Sequence, residues 1–262
     1  MDTRQEHRSP RAGVRGGLGV RGVLSTVCCL MLACAMLACG FGCSGNTSTQ
    51  GSGSSSKPQT ASGQEEATSL SGLKAGSTFA FGSYQGKTIG WEVLKVDGDK
   101  ALVIAQEGVD AKKFNEQRGS YVWKDSTLRT WLNGDFLDSA FSSDQKSKIA
   151  TTSVENEKNP YWSTGGSEAT EDKLFCLSIT EAEEYFGRDG KAKCYPSDYA
   201  ASHGAYTDDS GACCWWLRDA GYDVNQGESA ADVNTEGFIF DSGAYVDKDT
   251  YCVRPAMWVN MK

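Results

Sequence analysis

From Leu70 onward, apolar and polar residues alternate in short runs separated by glycine, aspartate and asparagine. In "TIGWEVLKV" the apolar Ile89, Trp91 and Val93 take every second position, and "KALVIA" follows an Asp-Gly-Asp turn. A two-residue period on both sides of such a turn predicts a β-hairpin over Ile89–Val96 and Lys100–Ala105. The period then changes. In "DSTLRTWLNGDF", Leu128, Trp131 and Leu132 stand at i, i+3 and i+4 behind a capping Asp125 or Ser126, which predicts a short helix ended by Gly134. Ser142 with Gln145 forms a capping box for a second helix, and Thr180 with Glu183 forms another, closed by Gly187. "PSDYAASHG" reads as a further short helix, "KLFCLS" as a buried strand, and "TSVENEKNPYWSTGGSEATEDK" as a loop rich in turn formers.

Beyond Trp215 only short strands and turns remain: "WWLR", "SAADV", "GFIF", "GAYV" and "YCVRPAMWV". Short helices in the first two thirds and a meandering antiparallel sheet at the C-terminus predict one α+β domain over residues 70–262. All seven tryptophans and all ten tyrosines fall in this stretch. It is long enough for a substantial core.

The residues before it have another character. Five arginines precede "VLSTVCCLMLACAMLACGFG", an uncharged apolar run ending in small residues, which is the form of a secretory signal. Cys39 in "MLACG" and Cys43 in "GFGCSG" each follow a small residue, as in a bacterial lipobox, so one of the two is the expected lipidation site and residues 1–43 the lipoprotein signal. Residues 44–69 contain no aromatic or large apolar side chain and are expected to be a disordered Gly/Ser-rich tether with a reach of roughly 25–30 Å. The expectation is an exported chain, lipid-anchored at the outer face of the bacterial cytoplasmic membrane. The formal net charge is −8, and the basic head holds five of the arginines, so the remainder is more acidic still. A nucleic-acid partner is excluded on that ground.

Catalytic signatures are scarce. His203 is the only histidine after the signal, so no two-histidine zinc site can form, and no HExxH, GxSxG, GxGxxG or phosphate-binding loop occurs. No cofactor is expected. Calcium is a weak option at Asp223, Asn225 and Glu228, with Asp247 and Asp249 able to join from a later loop. In "CCWWLRDAG", neighbours along a strand face opposite sides, so one of Trp215 and Trp216 faces the core and the other a second layer or solvent. Both being packed is the simpler outcome, and an exposed Trp216 as a stacking surface is the alternative. Arg218, Arg254 and Trp258 read as structural. The stretch from Gly221 to Tyr251 mixes Tyr222, Asp223, Asn225, Tyr245 and Asp247 with small residues, a composition suited to adaptable contact surfaces.

Six ordered blocks then come together: Trp91-Glu-Val-Leu94; Leu128-Arg-Thr-Trp-Leu-Asn133; Leu177-Ser178 with Glu181-Ala182 and Tyr185-Phe186; Cys194 with Pro196, Tyr199 and Ala200; Trp215-Trp-Leu-Arg218; and Val253-Arg-Pro-Ala-Met-Trp258. This order resembles a bacterial domain family of unknown function found in exported and phage-associated proteins. Two departures stand out: "RDAG" replaces the family's "RSPG", and Cys252 replaces a glycine. With "WWLR" beside "CVRPA", a disulfide from Cys213 or Cys214 to Cys252 would be within reach. The family is in turn distantly similar to the C-type-lectin-like fold shared by formylglycine-generating enzymes and phage receptor-binding domains. That similarity implies a binding face in the Gly221–Tyr251 loops, and a glycan, wall polymer or protein as extracellular partner. The competing expectations are an exported oxidase of the formylglycine type, a wall hydrolase, or a passive structural surface module.

Overall fold

The computed structural model describes residues 70–119, 121–222 and 228–262. The signal, Cys39, Cys43, the 44–69 tether, Asp223 and Asn225 lie outside the described residues. No helix among the described residues is long and apolar enough to cross a membrane.

The predicted hairpin is present and extended by one strand on each side. β1 (Thr78–Tyr84), β2 (Lys87–Asp97) and β3 (Lys100–Ala105) run up and down through two-residue turns at Gln85-Gly86 and Gly98-Asp99. β2 buries Ile89, Trp91 and Val93 on one face, as its alternation requires, whereas β3 is buried from Ala101 to Ala105 because both of its faces are covered. The fourth member of this sheet comes from the far end of the chain: Ala256–Asn260 pairs antiparallel with β3. "YCVRPAMWV" is therefore two strands. Proline has no N–H for a ladder, and the chain changes sheets at Arg254-Pro255.

The second sheet has five strands in the order β4 (Asp110–Ala111), β10 (Cys252–Val253), β7 (Trp215–Ala220), β8 (Ser229–Val233), β9 (Ile239–Tyr245). All neighbours are antiparallel except β10 and β7. β7 and β8 are buried along their whole length, and β9 is the edge. "GFIF" and "GAYV" are parts of one strand, β9, and not two. The fold is thus mixed α+β, with a mostly antiparallel sheet at the C-terminus.

Four local expectations are corrected. The "TSVEN…SEATED" stretch is a hairpin, β5 (Thr152–Asn156) with β6 (Ser167–Asp172). Its strand period was hidden because Asn156, Thr170 and Asp172, three of its buried positions, are polar. Asp172 is satisfied there by the Trp123 indole at 2.9 Å, Arg129 at 2.7 Å and the Thr170 hydroxyl at 2.7 Å. "KLFCLS" is buried but pairs through Phe175 alone, with Ala256. The amides of Lys173 and Leu174 go instead to the Asn133 side chain, at 2.8 and 3.1 Å.

Helix α1 (Thr127–Trp131), capped by Ser126, does not stop at Gly134. It passes through a π-turn over Leu132–Phe136 into α2 (Leu137–Ala140), since Leu132, Phe136, Leu137 and Ala140 are all held in the core. Ser142 and Gln145 cap α3 (Ser143–Lys148) as expected. The box for α4 (Ile179–Phe186) is Ser178 with Glu181, two residues earlier than predicted, and Gly187 ends it. A buried Asp219 from β7 accepts from the Ile179 amide at 2.7 Å and fixes that start. α5 (Asp198–Ser202) completes the set.

Candidate functional site

The connection between β5 and β6 is built around one buried side chain. Asn159, 1% exposed, donates through Nδ2 to the carbonyls of Ala220 at 2.7 Å and Asp241 at 2.9 Å. Its Oδ1 accepts from the amides of Tyr161 at 3.0 Å and Trp162 at 3.3 Å. The main chain closes on itself through Asn159 N to Thr164 O and Ser163 N to Asn159 O, with Ser163 in the left-handed region at φ 58°. Thr164 donates its hydroxyl to Gly221 O at 2.8 Å. Gly165 lies so close to β7 that a Cβ there would stand 2.5 Å from the Ala220 Cβ, and its φ of 65° is one that glycine tolerates best.

Two rings project from this rigid loop, Tyr161 at 50% exposure and Trp162 at 43%. Tyr222, just past β7, adds a third at 44%, its ring centroid 4.4 Å from that of Trp162 with the planes tilted 50°. Polar groups border the rings. The Trp162 indole N–H donates to Asp241 at 2.9 Å, and the Tyr161 hydroxyl donates to Glu183 at 2.7 Å. Arg188 bonds both carboxylates and lies over the Tyr161 ring, 4.5 Å from its centroid. Burial works against the Arg188 charge, but the bonds to Asp241 and Glu183 outweigh it and raise its pKa. The bond to Glu183 raises the Tyr161 pKa as well. Four segments thus present flat apolar faces with carboxylate oxygens at their edge, which suits stacking combined with acceptance of hydroxyl donors.

Of the residues singled out in the sequence, only Tyr222 belongs to this platform. Trp216 is corrected: it is wholly buried like Trp215, stacked on Tyr251 with its N–H donated to Lys112 O at 2.8 Å, so it offers no surface to a ligand. Trp215 donates to Ala192 O at 3.0 Å. Arg218, 7% exposed, reaches the carbonyls of Glu155 and Cys176 and the Glu181 carboxylate. Arg254, 4% exposed, donates to Ala105 O at 2.8 Å and lies over the rings of Trp215 and Phe186. Trp258 is half-buried against the core. Tyr245 and Asp247 are brought together by Arg118, which covers the Tyr245 ring at 4.1 Å and pairs with Asp247 at 3.1 Å. Glu228 is half-buried, and its proposed calcium partners Asp223 and Asn225 lie outside the described residues. Among the described residues no group of three or more His, Cys, Asp or Glu side chains is arranged to hold a metal ion.

Sequence reasoning missed Asn159, Tyr161, Trp162, Glu183 and Arg188. The available signal was an adjacent Tyr-Trp pair inside "NPYWSTGG", where no strand or helix period gives an apolar ring a core to face. Two open grooves, of about 380 Å³ around Trp131 and Lys112 and about 360 Å³ around Trp258 and Lys100, lie elsewhere on the described surface.

Residues 98–261 match the family described as Domain of unknown function (DUF6273). The chain belongs to that family. No curated protein and no solved structure matches it. The platform residues all lie inside the DUF6273 stretch, whereas β1 and β2 precede it and complete the first sheet.

The five cysteines of the DUF6273 stretch are all free thiols in this structure, including Cys213, Cys214 and Cys252. The expected neighbour relation holds for the backbone, since Cys252 N donates to Cys214 O at 2.8 Å. The Cys213 thiol donates to the Cys194 carbonyl at 3.6 Å, and a Cβ on Gly108 would stand 2.7 Å from the Cys252 sulfur, so these buried cysteines are closely packed. Burial raises the pKa of Cys176 to about 12 and of Cys214 to about 11. The thiolate is the reactive form. Among these five thiols, iodoacetamide is therefore expected to modify Cys214 first, since the other four are buried, with a rate that keeps rising through pH 8–10. Peptide mapping of the native protein checks this, and early labelling of Cys194, Cys213 or Cys252 would contradict the packing described.

Proposed function

We propose that this chain is a surface-anchored lipoprotein whose globular domain is a binding module and carries out no reaction. The observation that carries the reading is the platform of Tyr161, Trp162 and Tyr222, three half-exposed rings on a backbone fixed by the buried Asn159. Large apolar rings held rigidly at a surface lose little conformational entropy when a ligand covers them. The basic head, apolar run and lipobox-like Cys39 and Cys43 support export and anchoring at the outer membrane face, and residues 44–69 supply the spacer. The ligand is an extracellular glycan, wall polymer or protein. A C-type-lectin-like arrangement is the finer fold we propose for the α+β domain.

The enzymatic alternatives find less support. Of the thiols an oxidase would use, Cys213 and Cys252 are buried, and burial raises the pKa of the half-buried Cys214 to about 11. His203 is exposed, stacked on Tyr199, with its Nδ1 near the Ser202 hydroxyl and the Tyr199 carbonyl. No acid orients it as a general base requires. The test is co-sedimentation of the mature chain with bacterial cell walls. Trp162→Ala and Tyr222→Ala are each expected to weaken binding at least tenfold, about 1.4 kcal/mol, with the melting temperature unchanged. Equal retention of wild type and both variants would sink the reading.

A further inference from the structure

The geometry points to an uncharged polysaccharide of β-1,4-linked pyranose rings as the ligand of the Trp162–Tyr222 platform, bound by stacking and without a metal. This deepens the binding reading above and rests on it. Three features of the platform select that chemistry. The first is shape. With centroids 4.4 Å apart, the Trp162 and Tyr222 rings are in contact with each other. A cage for an ammonium group needs rings that stand around an empty space, with the cation over their faces. Rings that touch at a 50° tilt each leave one outward face, and each such face suits the flat side of a single sugar ring. A pyranose whose substituents are all equatorial offers such a face in its axial C–H groups, and a β-1,4 chain repeats it along an extended ribbon.

The second feature is the sign of the charges. Arg188 is the one cation in the cluster, and both of its carboxylate partners, Glu183 and Asp241, are within the cluster, which leaves it net negative. Arg188 also has its guanidinium face against Tyr161. The chain as a whole carries a formal charge of −8. A phosphate- or carboxylate-bearing polymer meets repulsion at short and long range. The third feature is hydrogen-bond polarity. The Tyr161 and Trp162 donors already spend their protons on Glu183 and Asp241. Acceptor lone pairs on the two carboxylates remain at the rim, beside further N–H groups of Arg188 and the Tyr222 hydroxyl. The complementary ligand is rich in hydroxyl donors and bears no charge.

The experiment is depletion of the full mature chain from solution by insoluble chitin and cellulose, beside a glycerol-phosphate polymer and a trimethylammonium resin. Binding to at least one of the two neutral glycans is expected. It should persist in 1 M NaCl and in EDTA, fall at least tenfold in Trp162→Ala, and recover partly in Trp162→Phe, which restores a ring without the indole N–H. Trp162-dependent binding to cell walls with none to either neutral glycan would overturn this inference while leaving the binding reading intact. Salt-sensitive binding to the phosphate polymer or the ammonium resin in place of the glycans would overturn it too, as would glycan binding indifferent to Trp162. Loss of binding to walls and glycans alike would remove both readings.

Discussion

Replacing Arg218 by methionine is expected to destabilise the domain by about 3–5 kcal/mol, the range for breaking a buried charge pair by removing one partner. The stem volume is retained, so packing changes little. The lost donors are what matter. Nε and Nη2 reach Glu155 O at 3.2 and 3.1 Å, and Nη1 reaches Cys176 O at 3.0 Å and the Glu181 carboxylate. Those acceptors belong to β5, to the buried stretch before α4, and to the α4 capping box, so one guanidinium joins three segments to β7. Without it the Cys176 carbonyl is left buried without this donor, Glu155 O loses two bonds, and Glu181 keeps only its cap. Lysine is expected to rescue little of the loss, because a single ammonium cannot span the three directions. Urea unfolding of the purified chain measures this, and a loss below about 1 kcal/mol would show that the network is not cooperative.

The second large effect has the opposite sign. Asp232→Asn is expected to stabilise the protein at pH 8 by about 1–3 kcal/mol, the usual cost of a buried group left without its partner. Asp232 lies in β8 at 1% exposure, its Oδ2 has no hydrogen-bond partner, and burial alone raises its pKa well above the carboxylate range. Asp219 is also buried, which raises its pKa to about 6 despite the neighbouring Arg218. Both carboxyls hold their protons more tightly folded than unfolded, so folding takes up protons once the pH exceeds the unfolded value of about 4. Stability from these groups is present below that value. It falls with rising pH, up to about pH 6 for Asp219 and further for Asp232. The wild-type melting temperature is therefore expected to be higher at pH 5 than at pH 8, and Asp232→Asn to flatten that slope. A variant less stable than wild type at pH 8, with the same slope, would refute the assignment.

Where an element's apolar residues follow a single period, the sequence was enough to find it. The β2–β3 hairpin, the Ser142 capping box and the "WWLR" strand all stand where the pattern puts them. The misses share a cause. β5 and β6 bury the polar Asn156, Thr170 and Asp172, which bond one another and, for Asp172, Trp123 and Arg129 from an earlier segment, so burial there left no hydrophobic mark. Gly134 reads as a stop signal, but the core holds Phe136 and Leu137 and carries the helix through it.

The site divides in the same way. That Tyr222 sits in a surface-forming stretch was legible from composition. That its neighbour is Trp162 was not, since the two are sixty positions apart in the chain and only the packing of the 159–165 loop on β7 brings the rings together. Local periodicity by itself determined an α+β domain and the place of its strongly patterned elements. Which aromatic rings are core and which are surface, which polar residues are buried, and which strand closes each sheet were decided by tertiary structure, because each depends on partners that periodicity along one segment cannot encode.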